Sequence, residues 1–227
     1  MLTIQEFIDN KILNSLYYSK VTQLTKNLKL IKFVSDKVSR IIVEFPELSL
    51  VTVPSENSNY YKIKIKLIPS TNSNIINNNL NSLYSHSIFN LFNLFYNKIN
   101  FDLKQHKDKW QVNLDKIHFK HPIVEINSFH YFELLIPKTT IIISHNNEIT
   151  TLHKNSFIVP IIEFIGIWIS DCHIGLIYQP IFIKSKSSLY THTLPDLSSS
   201  DESSLFDSDI DMDNISSAIS EDIKSSA

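Results

Sequence analysis

The chain has 227 residues, 43% of them hydrophobic, and its formal net charge of -2 hides an asymmetry: residues 1–193 carry 20 basic and 14 acidic groups, while residues 194–227 carry nine acids and one lysine. A single cysteine, Cys172, excludes internal disulfides and cysteine-rich zinc sites. Two glycines, where average usage gives about sixteen, exclude a glycine-rich phosphate loop.

The N-terminal stretch reads as a helix over residues 3–19. Thr3 and Glu6 stand at capping-box spacing, and Ile4, Phe7, Ile8, Ile12, Leu16 and Tyr17 keep a helical period. Charges in this stretch argue against a signal peptide, and no uncharged run reaches membrane-spanning length. A soluble, intracellular protein without membrane contact is expected; host nucleus or cytoplasmic viral factory stays open. Short β-type runs follow at 28–34, 40–45, 48–53 and 60–68. In the last, Tyr61, Ile63, Ile65 and Leu67 face one way and Tyr60, Lys62, Lys64 and Lys66 the other, as a half-buried strand requires.

Residues 69–82 are a polar, Asn-rich loop insertion. A second helix is predicted from Leu80 to Ile99, with an apolar stripe of Leu80, Tyr84, Ile88, Leu91, Phe92, Phe95 and Ile99. After a charged connector at 102–109, strands are expected at 110–117, 123–136 and 139–144. A turn at 145–148 leads to two long runs, 157–169 and 174–184, joined by Ser-Asp-Cys-His. About eight short strands and one central helix predict a mainly β domain over residues 1–193, a small β-barrel decorated by helices. Residues 194–227, rich in Ser and Asp with no sustained apolar period, are expected to form a disordered acidic tail.

Enzyme chemistry finds no support. His118, His121 and His130 could ligate a metal, but isolated histidines on a β segment are more often surface or core residues; Cys172 and His173 are neighbours on a turn that point apart, and Glu125, Glu133, Glu148 and Glu163 form no recognisable acid–base pair. No metal and no cofactor is expected. What remains is basic and aromatic: 25 of the residues are Phe, Tyr or Trp. A barrel that binds single strands needs cations for the backbone and ring faces for the bases. Lys62, Lys64 and Lys66, with Tyr60 in line, supply both; the same pattern also suits a merely solvated strand. Trp168 is read on the same face as Phe164 and Gly166, where it either stacks on a base or fills the core.

Both glycines lie in "VPIIEFIGIWISDCHIGLIYQPIFIK" (159–184). One arginine against twenty lysines points to an AT-rich coding sequence, so a surviving glycine marks a backbone need. The stretch resembles the C-terminal signature of the OB-fold single-stranded-DNA-binding proteins of large eukaryotic DNA viruses, related to the replication single-strand binding protein of short-tailed phages. The matching residues are Gly166-Ile167-Trp168, Gly175-Leu176 and the aromatic Tyr178. "FPELSLVTVPSENSNYYKIKIKLI" (45–68), the helix from Leu80, "IVEINSFHYFELLIP" (123–137) and the acidic tail agree with it.

The resemblance implies an OB-fold-like barrel with an inserted helix, in which Gly166 permits a bulge and Gly175 a left-handed turn exit. It implies sequence-nonspecific single-stranded DNA binding in viral replication and recombination, through Tyr60, Lys62, Lys64, Lys66, Trp168, Tyr178, Lys184 and Lys186. Asp201, Glu202, Phe206, Asp207, Asp209, Asp211 and Asp213 would regulate binding or recruit replication proteins. The alternative is a non-enzymatic protein-interaction or virion structural module. DNA against RNA preference and oligomeric state stay open.

Overall fold

The computed structural model describes residues 1–50, 55–56, 60–67, 80–127, 129–144, 151–152 and 156–186, with backbone alone at 55–56, 80–85 and 186. Met1–Ser187 forms one compact unit; Ser188–Ala227 lies outside the described residues, as do most of the 69–82 loop and the 145–148 turn.

Strand β1 (Leu2–Thr3) leads into helix α1 (Ile4–Asp9). The capping box forms as the spacing predicts. The Glu6 amide donates to Thr3 Oγ1 at 3.2 Å, and the Thr3 amide to the Glu6 carboxylate at 2.8 Å. The helix stops ten residues short of the expected end. Asp9 and Asn10 favour turns, and Lys11 adopts a left-handed conformation (φ 49°) that ends the helix. A 3-10 turn (Ile12–Ser15) and strand β2 (Leu16–Tyr18) then carry Ile12, Leu13 and Leu16 into the same core that one long helix would have reached.

β3 (Thr22–Thr25), β4 (Leu28–Ser35), β5 (Ile41–Glu44), β6 (Leu48–Ser49), β7 (Ser55–Glu56) and β8 (Tyr60–Leu67) follow. Helix α2 spans Leu80–Trp110, eleven residues past the expected end. The charged "connector" is made of good helix formers, and Leu103 and Trp110 prolong the buried stripe of Ile88, Leu91, Phe92, Phe95 and Ile99. Gln111 (φ 54°) ends the helix, and the Lys29 ammonium donates to the Trp110 carbonyl at 3.1 Å. The strand expected at 110–117 is therefore helix end and turn, with β9 (His118–Lys120) after it. Asn127 (φ 50°) divides the run expected at 123–136 into β10 (Ile123–Ile126) and β11 (Phe129–Pro137). β12 (Ile141–Ser144), β13 (Phe157–Ile169) and β14 (His173–Lys186) complete the chain.

The protein is mainly β, in an arrangement consistent with an OB-like fold. β13 and β14, an antiparallel hairpin, centre a ten-stranded sheet: β4, β5 and β6 pair with β13, and β9 and β12 with β14. A four-stranded antiparallel sheet runs β10-β11-β8-β7. Among the described residues the two sheets meet at one bridge, Leu50–Ile65, and do not close into a barrel. One hydrophobic cluster joins both sheets to α1 and α2. Its centre is aromatic: Phe95 stacks on Phe164 at 4.5 Å between ring centroids, and Phe45 on Phe132 at 5.8 Å. No helix among the described residues is long and apolar enough to cross a membrane.

A register shift between Phe164 and Gly166 changes which side chains of β13 face this core. Phe164 and Ile167 both point into it, three residues apart rather than two or four. Trp168 therefore lies on the opposite face from Phe164, contrary to strict alternation.

Candidate nucleic-acid interface

β8 and β11 pair over eight residues, with Lys66 opposite Tyr131, Lys64 opposite Glu133, Lys62 opposite Leu135 and Tyr60 opposite Pro137. Directly paired residues share a face. Ile63, Ile65, Leu67, Phe132, Leu134 and Ile136 are buried beneath, so the other face of this sheet carries the three lysines. The same alternation on β11 puts Phe129 and Tyr131 beside them. Phe129 is 43% exposed, and the Lys66 ammonium sits 3.3 Å from its ring centroid. A row of three cations on one strand thus ends beside two rings on the next, the two components that a site for phosphates and unstacked bases requires.

The lysines are not equivalent. Lys62 forms an ion pair with Glu133, in which Oε1 is touched by the ammonium but receives no aligned hydrogen bond. Burial, and next the charge of Lys64, hold the Lys62 amine below the usual lysine range. Lys66 instead rests on an aromatic face.

The other expected residues lie elsewhere. Tyr60 begins the lysine row but is only 9% exposed. Trp168 is 4% exposed, and its indole covers Gly175, its cross-strand partner. Tyr178 is packed among Phe92, Phe132 and Phe164, with centroids 5.7–6.0 Å away, and its hydroxyl donates to the Glu133 carbonyl at 3.2 Å. Trp168 offers no face to a base, and Tyr178 is part-buried against the aromatic core. Lys184 is exposed on β14, 3.6 Å from Glu44, and nine residues along the strand from Gly175, about 30 Å. The side chain of Lys186, and all of Asp201, Glu202, Phe206, Asp207, Asp209, Asp211 and Asp213, lie outside the described residues. Gly175 has no positive φ, so the expected left-handed exit does not form there; Gly166 does sit at the expected bulge.

Phe129, Tyr131 and Glu133 escape a reading of β8 alone. Their signal is the alternation within "FHYFELLIP" (129–137), which becomes informative once β11 is known to pair with β8.

No family model and no curated protein matches the chain. Among solved structures it is similar to gp2.5, a single-stranded DNA binding protein encoded by bacteriophage T7, at 8% identity over 65% of this chain and 86% of that one, with a TM-score of 0.40. It is also similar to the single-stranded DNA-binding protein from bacteriophage Enc34. The C-terminal truncation of that protein aligns at 7% identity over 77% of this chain and 96% of that one, TM-score 0.40. Its complex with single-stranded DNA aligns at 7% identity over 74% and 94%, TM-score 0.40.

Proposed function

We propose that the protein binds single-stranded DNA, with little sequence preference, on the outer face of the β10-β11-β8-β7 sheet. The observation that carries this reading is the row of Lys64 and Lys66 beside the half-exposed rings of Phe129 and Tyr131. Lysines neutralise phosphates whatever the sequence, and every base has a face that stacks. The role that follows is a non-enzymatic coat for displaced strands in replication and recombination, in line with the resemblance of residues 159–184 to the viral OB-fold proteins. Residues 194–227, with nine acids and one lysine, would compete with the strand for the same cations and recruit replication proteins when released.

The test is a fluorescence titration with labelled poly(dT), poly(rU) and duplex DNA at two salt concentrations. Poly(dT) should bind more tightly than duplex, and each lysine–phosphate contact should add about 0.7 to the slope of log affinity against log salt. Replacing Lys64 and Lys66 together by Ala should flatten that slope by about 1.4. Absence of poly(dT) binding, or an unchanged slope in the double variant, overturns the assignment and leaves the protein-interaction module as the reading to pursue.

A further inference from the structure

The basic row contains one acid. Glu133 stands directly opposite Lys64 in the register and diagonal to Lys62, with which it pairs. Both partners are partly shielded, Lys62 at 36% and Glu133 at 18% side-chain exposure, so water and salt screen the contact less than they would an open surface pair. The carboxylate is also firmly placed. Glu133 is paired with Lys64 of β8, one residue beyond the end of the pairing with β10, and its backbone carbonyl accepts the hydroxyl of the part-buried Tyr178. Burial and the neighbouring Lys64 both oppose the Lys62 ammonium, so an anion at this point is favoured whether it comes from the protein or from a ligand.

Resting on the single-strand reading above, we infer that Glu133 occupies a phosphate position within the binding face, holding Lys62 out of contact with the strand and so setting the affinity of the whole row. A phosphate reaching Lys62 must displace a carboxylate fixed to a central strand, whereas one reaching Lys66 displaces only a ring contact. Lys64 and Lys66 then make the phosphate contacts of the wild-type protein, and Lys62 is a reserve cation that the carboxylate holds back. Glu133 is thus an affinity-determining residue of the site, in a position where a purely electrostatic binding row would carry no acid.

The experiment is a double-mutant cycle with Glu133→Gln and Lys62→Ala, titrated against labelled poly(dT) from 50 mM to 200 mM salt, with circular dichroism to confirm the fold. Gln keeps the side-chain shape and leaves the backbone bond to Tyr178 intact. Glu133→Gln should add one phosphate contact. The slope should steepen by about 0.7, affinity at 50 mM should rise roughly five- to tenfold, and about 2.5-fold more affinity should be lost across the salt range. Lys62→Ala alone should change affinity less than twofold, a result that does not depend on how the Gln variant folds. Adding Lys62→Ala to Glu133→Gln should abolish the gain. Two results overturn the inference: a gain that persists without Lys62, or Lys62→Ala alone flattening the slope by about 0.7. In either case a flattened slope in the Lys64/Lys66 variant would keep the single-strand reading standing. An unchanged slope in that variant would remove the reading as well.

Discussion

Trp168 lays its indole against the bare Cα of Gly175: a Cβ at that glycine would come within 2.7 Å of Cε2, Cζ2 and Nε1 of the ring. The two residues are cross-strand partners in the β13–β14 hairpin, and the ring is almost wholly buried. This is packing, and it separates stability from binding. Trp168→Ala should destabilise the fold by about 3–5 kcal/mol, with poly(dT) affinity of the folded protein unchanged. Gly175→Ala should cost about 1–3 kcal/mol, because the indole can shift. Urea denaturation paired with titration checks both; a Trp168→Ala protein of wild-type stability but weakened binding would show that the ring stacks on a base after all.

The opposite signature is expected at Phe129 and Tyr131. Each lies on the solvent side of β11, so replacement by Ala should leave the denaturation midpoint almost unmoved. Binding should weaken by about 1–3 kcal/mol per ring with the salt slope unchanged, since stacking releases no counterions. Isotherms of the two variants at matched salt provide the measurement.

Asp102 is buried on α2, where it accepts the Tyr18 hydroxyl and the Lys98 ammonium, each at 2.5 Å. This contact ties β2 to the long helix. Asp102→Ala strands a part-buried hydroxyl and a part-buried cation together and should cost about 3 kcal/mol, whereas Asp102→Asn keeps an acceptor and should cost less. Thermal denaturation of the two variants tests the order.

Stability should fall at alkaline pH. Burial pushes the Tyr18 and Tyr178 phenols above their usual range, with Asp102 adding to the shift at Tyr18. Unfolded tyrosines ionise near pH 10. The contribution is therefore complete below about pH 10 and is lost above it, as the unfolded chain gives up protons that the folded chain retains. Each of the two tyrosines should remove about 1.4 kcal/mol per pH unit there. Tyr178→Phe should lose about 1 kcal/mol at pH 7, from the bond to the Glu133 carbonyl, yet show a shallower decline between pH 10 and 11.5 in urea titrations.

Truncation after Tyr190 removes nine acids and one lysine. Poly(dT) binding should tighten at 20 mM salt, and the gain should fade by roughly 0.3 M, where the Debye length is about 5–6 Å. Equal binding by truncated and full-length chains at 20 mM would exclude competition by this segment.

Local patterns were legible where one strand or one turn decides them. The alternation of Tyr61, Ile63, Ile65 and Leu67 against the lysines marks β8 within one residue at its C-terminal end, and Thr3 and Glu6 mark the start of α1. What one segment cannot show is which segment lies beside it. Phe129 and Tyr131 join the lysines only through the β8–β11 register. Strict alternation puts Trp168 on the face of Phe164, and the bulge between Phe164 and Gly166 reverses that face for the residues beyond it. The overlong N-terminal helix has a similar cause. Apolar residues at helical spacing also fit a short helix, a turn and a strand that all reach one core.

Left-handed backbone in the described residues is taken by Lys11, Gln111 and Asn127, and neither glycine has a positive φ. Side chains tolerate that conformation at a penalty of about 1–2 kcal/mol. At Gly166 the demand is of another kind, because a Cβ would lie 2.2 Å from the backbone oxygen of Ile31, which no rotamer change relieves. A coding sequence drifting away from glycine codons can thus surrender its conformational glycines one at a time, each loss reversible and small. A glycine squeezed between two strands has no such intermediate. Glycine in this chain marks contact distance, and a third glycine in a relative would point to a tight backbone crossing before it pointed to a turn.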